Sequence, residues 1–397
     1  MRKPLEGYRV FDLTTATAGP FCAAQLADFG AEVIHIESPQ TDVTRRLWPE
    51  FDGTSTTYYS YNRNKKSMIL DLKDPDGLEI AKKLLKTCDI LVENNRPGVM
   101  ERLGLSYQAV KKINPSIVYA SISGFGQTGP YRERAAYDGI IQAMSGFMTL
   151  TGPEGGEPTK AGPSMADLVS GLYAAFGISI AMLQRERTGE GGYVDCSMLD
   201  TFTAMNENAI AAYLNAGDDR RAMGNLHPQS AIFGTVRVKD GQIMLCMQKQ
   251  EQHQKLFRLL ELPDLTQQAR FSSPISRRRN IKELLQIVEE KTMRYTRKEL
   301  VALLVDAGLP AGEIYTIPEM LQDEQVQYRA HVIPIQDSKN KEAYIYGQPL
   351  VFSNFETPQR ATAAQAGEHN VQILTQLLGY SQAQAEALDK QMRKERN

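Results

Sequence analysis

The sequence predicts an α/β protein: a Rossmann-like large domain with a smaller α+β domain. Two observations lead there. Strand-like and helix-like segments alternate through the first 125 or so residues, and their character changes after Asp200. Residues 8–13 read as a strand, and Ala18-Gly19-Pro20 as a turn whose proline suits a first helical position. Residues 21–29 read as a helix with Gly30 as its cap, and 31–36 as a second strand ending at Glu37. The pattern recurs with strands at 67–72, 89–93 and 117–122 and helices at 75–87 and 107–113. Such alternation implies parallel strands joined by right-handed crossovers.

Beyond Asp200 a long helical stretch at 201–216 leads to the loop Gly224-Asn225-Leu226-His227-Pro228. Strand patterns follow at 234–238 and 242–247, with helices at 252–260, 281–292 and 298–307. The expected organisation is a large domain over 1–200, a linker at 201–224, a small domain at 225–325, and a return to the large domain at 326–397. The tail from Thr357 reads as helical and polar. No internal repeat is visible.

Composition removes whole classes of function. With 45 Lys and Arg against 47 Asp and Glu, the formal charge is −2, which argues against a nucleic-acid binder held by a broad basic field. At 42% apolar and 23% charged, the chain is an ordinary folded one. The longest mainly apolar run, residues 171–183, is shorter than the roughly 20 residues a membrane span needs. The opening MRKPLEGYRVFDL has no long apolar region, so no secretory signal and a cytoplasmic location are expected. Cys22, Cys88, Cys196 and Cys246 form no C-x-x-C pair, and the five histidines never fall at i, i+4. Metal catalysis is therefore not expected. The triplet Arg277-Arg278-Arg279 reads more readily as a solvated helix start than as a phosphate site.

Gly124-Phe125-Gly126-Gln127-Thr128-Gly129 matches G-x-G-x-x-G after a strand. Pro130 and the charged run 131–134 follow instead of an apolar helix, and the strand is late in the chain, so a dinucleotide site is not expected. A P-loop and a G-x-S-x-G elbow are both missing.

The most informative segment is Gly162-Pro163-Ser164-Met165-Ala166-Asp167, running into LVSGLYAAFGISIAML. Ser164 and Asp167 have the spacing of a capping box, which would make the aspartate purely structural. The same position suits a nucleophile: a carboxylate in the first turn of an apolar helix is partly desolvated, while the helix dipole helps keep it ionised. The residue pattern leaves both readings open.

The chain resembles family III CoA-transferases, the group with formyl-CoA and carnitine CoA-transferases. The likeness runs through Asp12-Leu13-Thr14 to Ala18-Gly19-Pro20, GAEVIHIE, NRNKKS, Leu70-Asp71-Leu72-Lys73, VENNRPG, SISGFGQTGPY and Tyr137-Asp138-Gly139. It continues through the Asp167 helix, RERTGEGG, GNLHP and LPAGEIYT. The resemblance implies CoA transfer from an acyl-CoA donor to a carboxylic acid, with Asp167 as nucleophile and aspartyl anhydride and aspartyl–CoA thioester intermediates. Coenzyme A enters as substrate, with no prosthetic group. Implied phosphate contacts are Lys73, Arg96 and Arg102; Leu70, Asn94 and Asn95 line the CoA path. Thr17 and Ala18 approach the thioester end, and Tyr137 and Asp138 lie near the reacting centre. The resemblance also implies an interlocked homodimer. A related fold serves α-methylacyl-CoA racemases, which use a histidine–aspartate pair. That histidine would fall at Tyr137, and tyrosine, with an ordinary pKa near 10, is a poor base at neutral pH. An inactive CoA-binding protein is the third reading.

Overall fold

The computed structural model describes residues 3–51, 53–337 and 342–394. Its centre is a six-stranded parallel sheet of β1 (Arg9–Leu13), β2 (Glu32–Glu37), β3 (Lys66–Ile69), β4 (Ile90–Glu93), β5 (Val118–Ser123) and β6 (Gly192–Ser197). The spatial order β3-β2-β1-β4-β5-β6 is the doubly wound arrangement expected of alternating strands and helices. The sequence missed β6. Its half-exposed, alternating GYVDCS lacks the apolar run of its neighbours because it forms an edge of the sheet.

Helices cover both faces. On one, α1 (Ala18–Asp28) packs with the later 24-residue helix carrying Asp167; Val10, Val33, Ile90, Val92, Val118 and Ile122 supply the apolar floor. The other face carries α3 (Pro75–Leu85) and α5 (Tyr107–Ile113), which follow the short helices α2 (Thr56–Tyr61) and α4 (Val99–Arg102) in turn. There Phe11, Ile34, Leu91 and Tyr119 meet Ile80, Leu84 and Val110. Burying each large aliphatic side chain contributes about 1.5–3 kcal/mol, which drives the sandwich together. Asp74 caps α3 by accepting the Gly77 N–H at 3.3 Å, with Pro75 at the first helical position.

Next come α6 (Asp138–Met144), α7 (Met165–Thr188), α8 (Met198–Thr203) and α9 (Glu207–Ala216). The single helix expected over 201–216 is broken by a 3₁₀ turn at Ala204–Asn206, where the buried Asn206 amide donates to the Ser145 carbonyl at 2.9 Å.

The chain divides into two compact units: residues 1–147, 160–218 and 329–397, and residues 148–159 with 219–328. The segment 148–159 therefore leaves the large unit, contrary to the sequence-based boundary. The reason is backbone pairing: Ala222 and Gly224 donate to the Thr149 and Gly152 carbonyls, both at 2.9 Å. The stretch 201–224 is no linker, since α8 and α9 fill its first half.

The smaller unit holds an antiparallel sheet of β7 (Phe233–Val238), β8 (Gly241–Cys246) and β9 (Ala311–Glu313), with β8 central. Helices α10 (Gln250–Leu259), α11 (Ile281–Thr292) and α12 (Arg297–Asp306) close its core around Val236, Ile243, Phe257 and Leu300. The arginine triplet is corrected here. It ends the short helix Pro274–Arg279, and Arg277 is buried, donating to Gln250 Oε1 and the Phe271 carbonyl at 2.9 and 2.8 Å.

The C-terminal return adds β10 (Val332–Asp337), β11 (Glu342–Tyr346) and β12 (Ala361–Ala363) before α13 (Asn370–Gln376) and α14 (Gln382–Lys394), so the tail from Thr357 is helical apart from the short strand β12 and its flanking loops. This segment also protects the edge strand β3. Asn370 Oδ1 accepts the Ile69 N–H at 2.9 Å, and the Ser67 carbonyl accepts the His369 N–H at 3.1 Å.

A buried charge cluster ties β1 and β2 to the segment before β3. Asp12 Oδ2 takes Lys65 Nζ at 2.9 Å and His35 Nδ1 at 3.1 Å, while His35 Nε2 lies 3.3 Å from Asp42. Burial opposes charge on Asp12, but Lys65 and His35 hold its carboxyl well below the usual range. Burial likewise opposes a proton on His35, yet Asp12 and Asp42 push it up to about 9.

Candidate functional site

In a doubly wound sheet the strand order reverses between β1 and β4, and the loops leaving these strands form a crevice at their carboxyl ends. Here those loops are clamped together. Asn94 Oδ1 accepts the Thr15 N–H at 2.9 Å, and Asn94 Nδ2 donates to the Thr15 carbonyl at 2.8 Å. The sequence placed Asn94 on the CoA path; in the fold its side-chain amide holds the β1 loop through these two bonds. Asn95, also assigned to that path, donates its backbone N–H to Glu93 Oε2 at 2.8 Å. Glu93 is buried, and burial pushes it up to about 6.

The β1 loop enters α1 through Ala16, whose φ of 64° is the left-handed conformation that L residues seldom adopt. Thr17 is the N-cap of α1 without a side-chain cap bond, and Ala18 is buried. The amides of this first turn are thus left without a side-chain cap at the positive end of the helix. Gly19 is required by close approach: a Cβ there would sit 2.5 Å from Thr14 Cβ.

Helix α7 packs across α1 at Gly171, where an added Cβ would lie 2.7 Å from the Ala18 carbonyl and 3.4 Å from Cys22 N. Asp167 stands one turn earlier on the same helical face. The crossing therefore sets Asp167 toward the start of α1. Burial, and then the Asp167 charge, raise the Tyr61 phenol of α2.

The expected capping box does not form: Ser164 makes no side-chain cap bond. The cap comes from Asp138 at the start of α6, whose Oδ1 accepts the Ala166 and Asp167 N–H groups at 2.8 and 3.4 Å. That changes the electrostatics of Asp167. The helix dipole favours its charged form, but burial, and then the neighbouring Asp138 charge, push its carboxyl up to about 7. The sequence had it held ionised. Tyr137, the residue before Asp138, is largely exposed.

Among the candidate phosphate contacts, Lys73 and Arg96 are exposed on the loops after β3 and β4, and Arg102 is exposed at the end of α4, without an ion pair among the described residues. Strands β3 and β4 stand three places apart, about 14 Å. Leu70 is buried, and its N–H donates to the Glu37 carbonyl at 2.9 Å. Arg96 and Glu93 also border a cleft of about 360 Å³ with Tyr107, Ser121 and Tyr193.

The G-x-G-x-x-G loop is not a pyrophosphate cradle. Its Gln127 N–H donates to Asp195 Oδ2 at 3.0 Å, so an acidic side chain occupies the place an anion would take.

Against this geometry, the model of "CoA-transferase family III" matches residues 5–370. The chain belongs to CoA-transferase family III. Human succinyl-CoA:glutarate CoA-transferase is 36% identical over 380 residues, 95% of this chain and 87% of that protein. Succinate–glutarate CoA-transferase from Agrobacterium fabrum is 33% identical over 384 residues, 95% of this chain and 96% of that protein. A CAIB/BAIF family protein from Brucella suis has the same architecture, with a TM-score of 0.86 at 34% identity, covering 95% of this chain and 100% of that one. The protein is accordingly an acyl-CoA:carboxylate CoA-transferase of family III.

Sequence reasoning passed over three residues around Asp167. Buried Gln142 donates to Asp138, Gly171 sets the helix crossing, and the Asp167 charge helps raise the Tyr61 phenol. A glycine inside an apolar helix is a signal for close packing, and Asp138 with Gln142 has i, i+4 spacing. Tyr61 carries no local signal.

Proposed function

We propose that the protein moves CoA from succinyl-CoA to an aliphatic dicarboxylic acid, with Asp167 as covalent nucleophile. The observation that carries the nucleophile is its setting: a half-buried carboxylate in the first turn of α7, pushed up to about 7, beside the uncapped start of α1. The substrate class rests on the two relatives named above, whose names pair succinyl or succinate with glutarate.

Ionised Asp167 attacks the donor carbonyl, the carbon–sulfur bond breaks, and CoA leaves as thiolate. That thiolate attacks the Asp167 carbonyl carbon, expelling the donor carboxylate and leaving an aspartyl–CoA thioester. The acceptor carboxylate then attacks this thioester, and the released thiolate takes the acceptor acyl group, restoring Asp167. No water enters the balance, and a dry pocket protects the anhydride. The first-turn amides of α1 are suited to the oxyanions formed at each attack. Lys73, Arg96 and Arg102 hold the CoA phosphates as charged partners. The racemase reading lacks its histidine, since position 137 is tyrosine.

Incubation with succinyl-CoA and hydroxylamine tests this directly. A hydroxamate on the peptide holding Asp167 is the expected product; acyl exchange with no modification at Asp167 would remove the nucleophile from the scheme. A pH profile tests the electrostatics. Because Asp167 must lose its proton to attack, kcat/KM should rise with pH and reach half its plateau near the Asp167 value of about 7. Asp138→Asn removes the neighbouring charge, so this limb should move to lower pH. An unmoved limb would mean that another group titrates.

The proposed enzyme is cytoplasmic and a homodimer. Helix α7 is the one described helix long and apolar enough to cross a membrane. Its buried residues Ala174, Ile178 and Met182 join the core, while Leu172, Phe176, Ile180 and Leu183 leave an apolar stripe exposed. A second copy covering this stripe accounts for it. Sedimentation should give the mass of two chains, and Phe176→Asp should shift it toward one; a wild-type monomer contradicts the dimer.

A further inference from the structure

Gln142 is fully buried, and both ends of its amide are used. Nε2 donates to Asp138 Oδ2 at 2.6 Å, and Oε1 accepts the Ala161 N–H at 2.8 Å. The first bond fixes the carboxylate whose other oxygen caps α7. The second fixes Ala161 in the segment that leads into α7, six residues before Asp167 in the chain. One side chain thus holds the first turn of α7 from two directions. Asp138 and Gln142 share a face of α6 at i, i+4, so the helix itself presets their contact.

We infer that Gln142 is a positioning residue for the reaction: acting through Asp138 and Ala161, it sets the placement and charge surroundings of the nucleophilic Asp167. This rests on the reading of Asp167 given above. The chemistry explains why an amide suits the position. A neutral donor steadies the Asp138 carboxylate without neutralising it, so Asp138 can cap α7 and still act on Asp167 as a negative neighbour. A lysine would supply a positive charge there, and a carboxylate a second negative one. Among the packed elements, α6 brings Asp138 to the Asp167 amide, α2 carries Tyr61, whose phenol is raised by burial and by the Asp167 charge, and α1 meets α7 at Gly171 through the Ala18 carbonyl and the Cys22 amide.

The test compares Gln142→Leu with Gln142→Glu in the full-length enzyme, using CoA exchange between succinyl-CoA and glutarate. Gln142→Leu loses both hydrogen bonds. Its kcat should fall by about tenfold to a hundredfold, while KM for succinyl-CoA stays within about threefold, because misplacement by about 1 Å is costly and the CoA contacts lie elsewhere. Gln142→Glu keeps the shape and an acceptor for Ala161 but sets a second carboxylate against Asp138. The acid limb of its kcat/KM profile should move to higher pH than that of the wild type. A purely structural glutamine would lower activity only in proportion to the folded fraction, measured by melting and sedimentation, and would leave the limb in place. That result, or wild-type kinetics in either variant, overturns the inference. Hydroxylamine mapping of the wild type separates the two layers. No hydroxamate at Asp167 refutes the nucleophile itself, whereas a labelled Asp167 with indifferent Gln142 variants refutes only the positioning role.

Discussion

Asp167→Ala and Asp167→Asn should each lose CoA transfer by about 10⁴-fold or more, with the fold intact. The size follows from the chemistry. Every step in the proposed cycle makes or breaks a bond to the Asp167 carboxyl, so no neighbour can take over part of its work. Asp138 cannot substitute, because both its oxygens are engaged, one with the Ala166 and Asp167 amides and the other with Gln142. Asparagine is the sharper test. It preserves size and burial and removes the like charge beside Asp138, so the protein should be at least as stable as the wild type while inactive. CoA binding should survive in both variants, measured by calorimetry, since the proposed phosphate contacts lie on the segments after β3 and β4, apart from α7. An active Asp167→Asn enzyme would mean that the carboxyl at this position only caps or packs.

The second large effect comes from a residue that touches no substrate in the proposed scheme. Gly171→Val should reduce transfer by about a hundredfold and destabilise the protein by about 1–3 kcal/mol. The Ala18 carbonyl and the Cys22 amide are backbone atoms of α1, so they cannot rotate away from a new side chain as a flexible tip could. Helix α7 must move outward instead, carrying Asp167 away from the first turn of α1. Gly177 provides the control. A Cβ there would meet only a Val194 methyl at 3.1 Å, a side-chain atom that can yield. Gly177→Ala should therefore be nearly silent in activity, and equal losses at the two positions would show that the crossing has no special role.

The parts of this fold that the sequence revealed are those governed by local periodicity. Strands β1 to β5 and helices α3 and α5 each carry their own pattern, and the parallel order follows from the alternation of strands with crossover helices. The parts it hid are assembled by groups distant in the chain. The cap of α7 is the clearest case. Ser164 and Asp167 satisfy the local spacing rule, but Asp138 takes the place from the start of another helix, which leaves the Asp167 carboxyl free for the proposed role. Asn94 is similar: a polar residue beside a predicted ligand path turns out to clamp Thr15. The excursion at 148–159 joins the smaller unit through backbone pairing with 222–224, for which Thr149 and Ala222 offer no compositional sign. The Asp12–His35–Lys65 cluster likewise draws on three separate segments, and none of them signals burial of charge.

The central claim is that the Asp167 carboxyl is bonded in turn to donor, CoA and acceptor, and oxygen transfer tests it most directly. The acceptor acid is labelled with oxygen-18 in its carboxylate and allowed to react with enzyme and succinyl-CoA. The enzyme is then digested and its peptides weighed. When the acceptor carboxylate attacks the aspartyl thioester, its own oxygen becomes the anhydride bridge, and that oxygen stays on Asp167 when thiolate takes the acyl group. Heavy oxygen in the Asp167 side chain, at a level that grows with turnover, is the predicted result. Complete CoA transfer with an unlabelled Asp167 would contradict it.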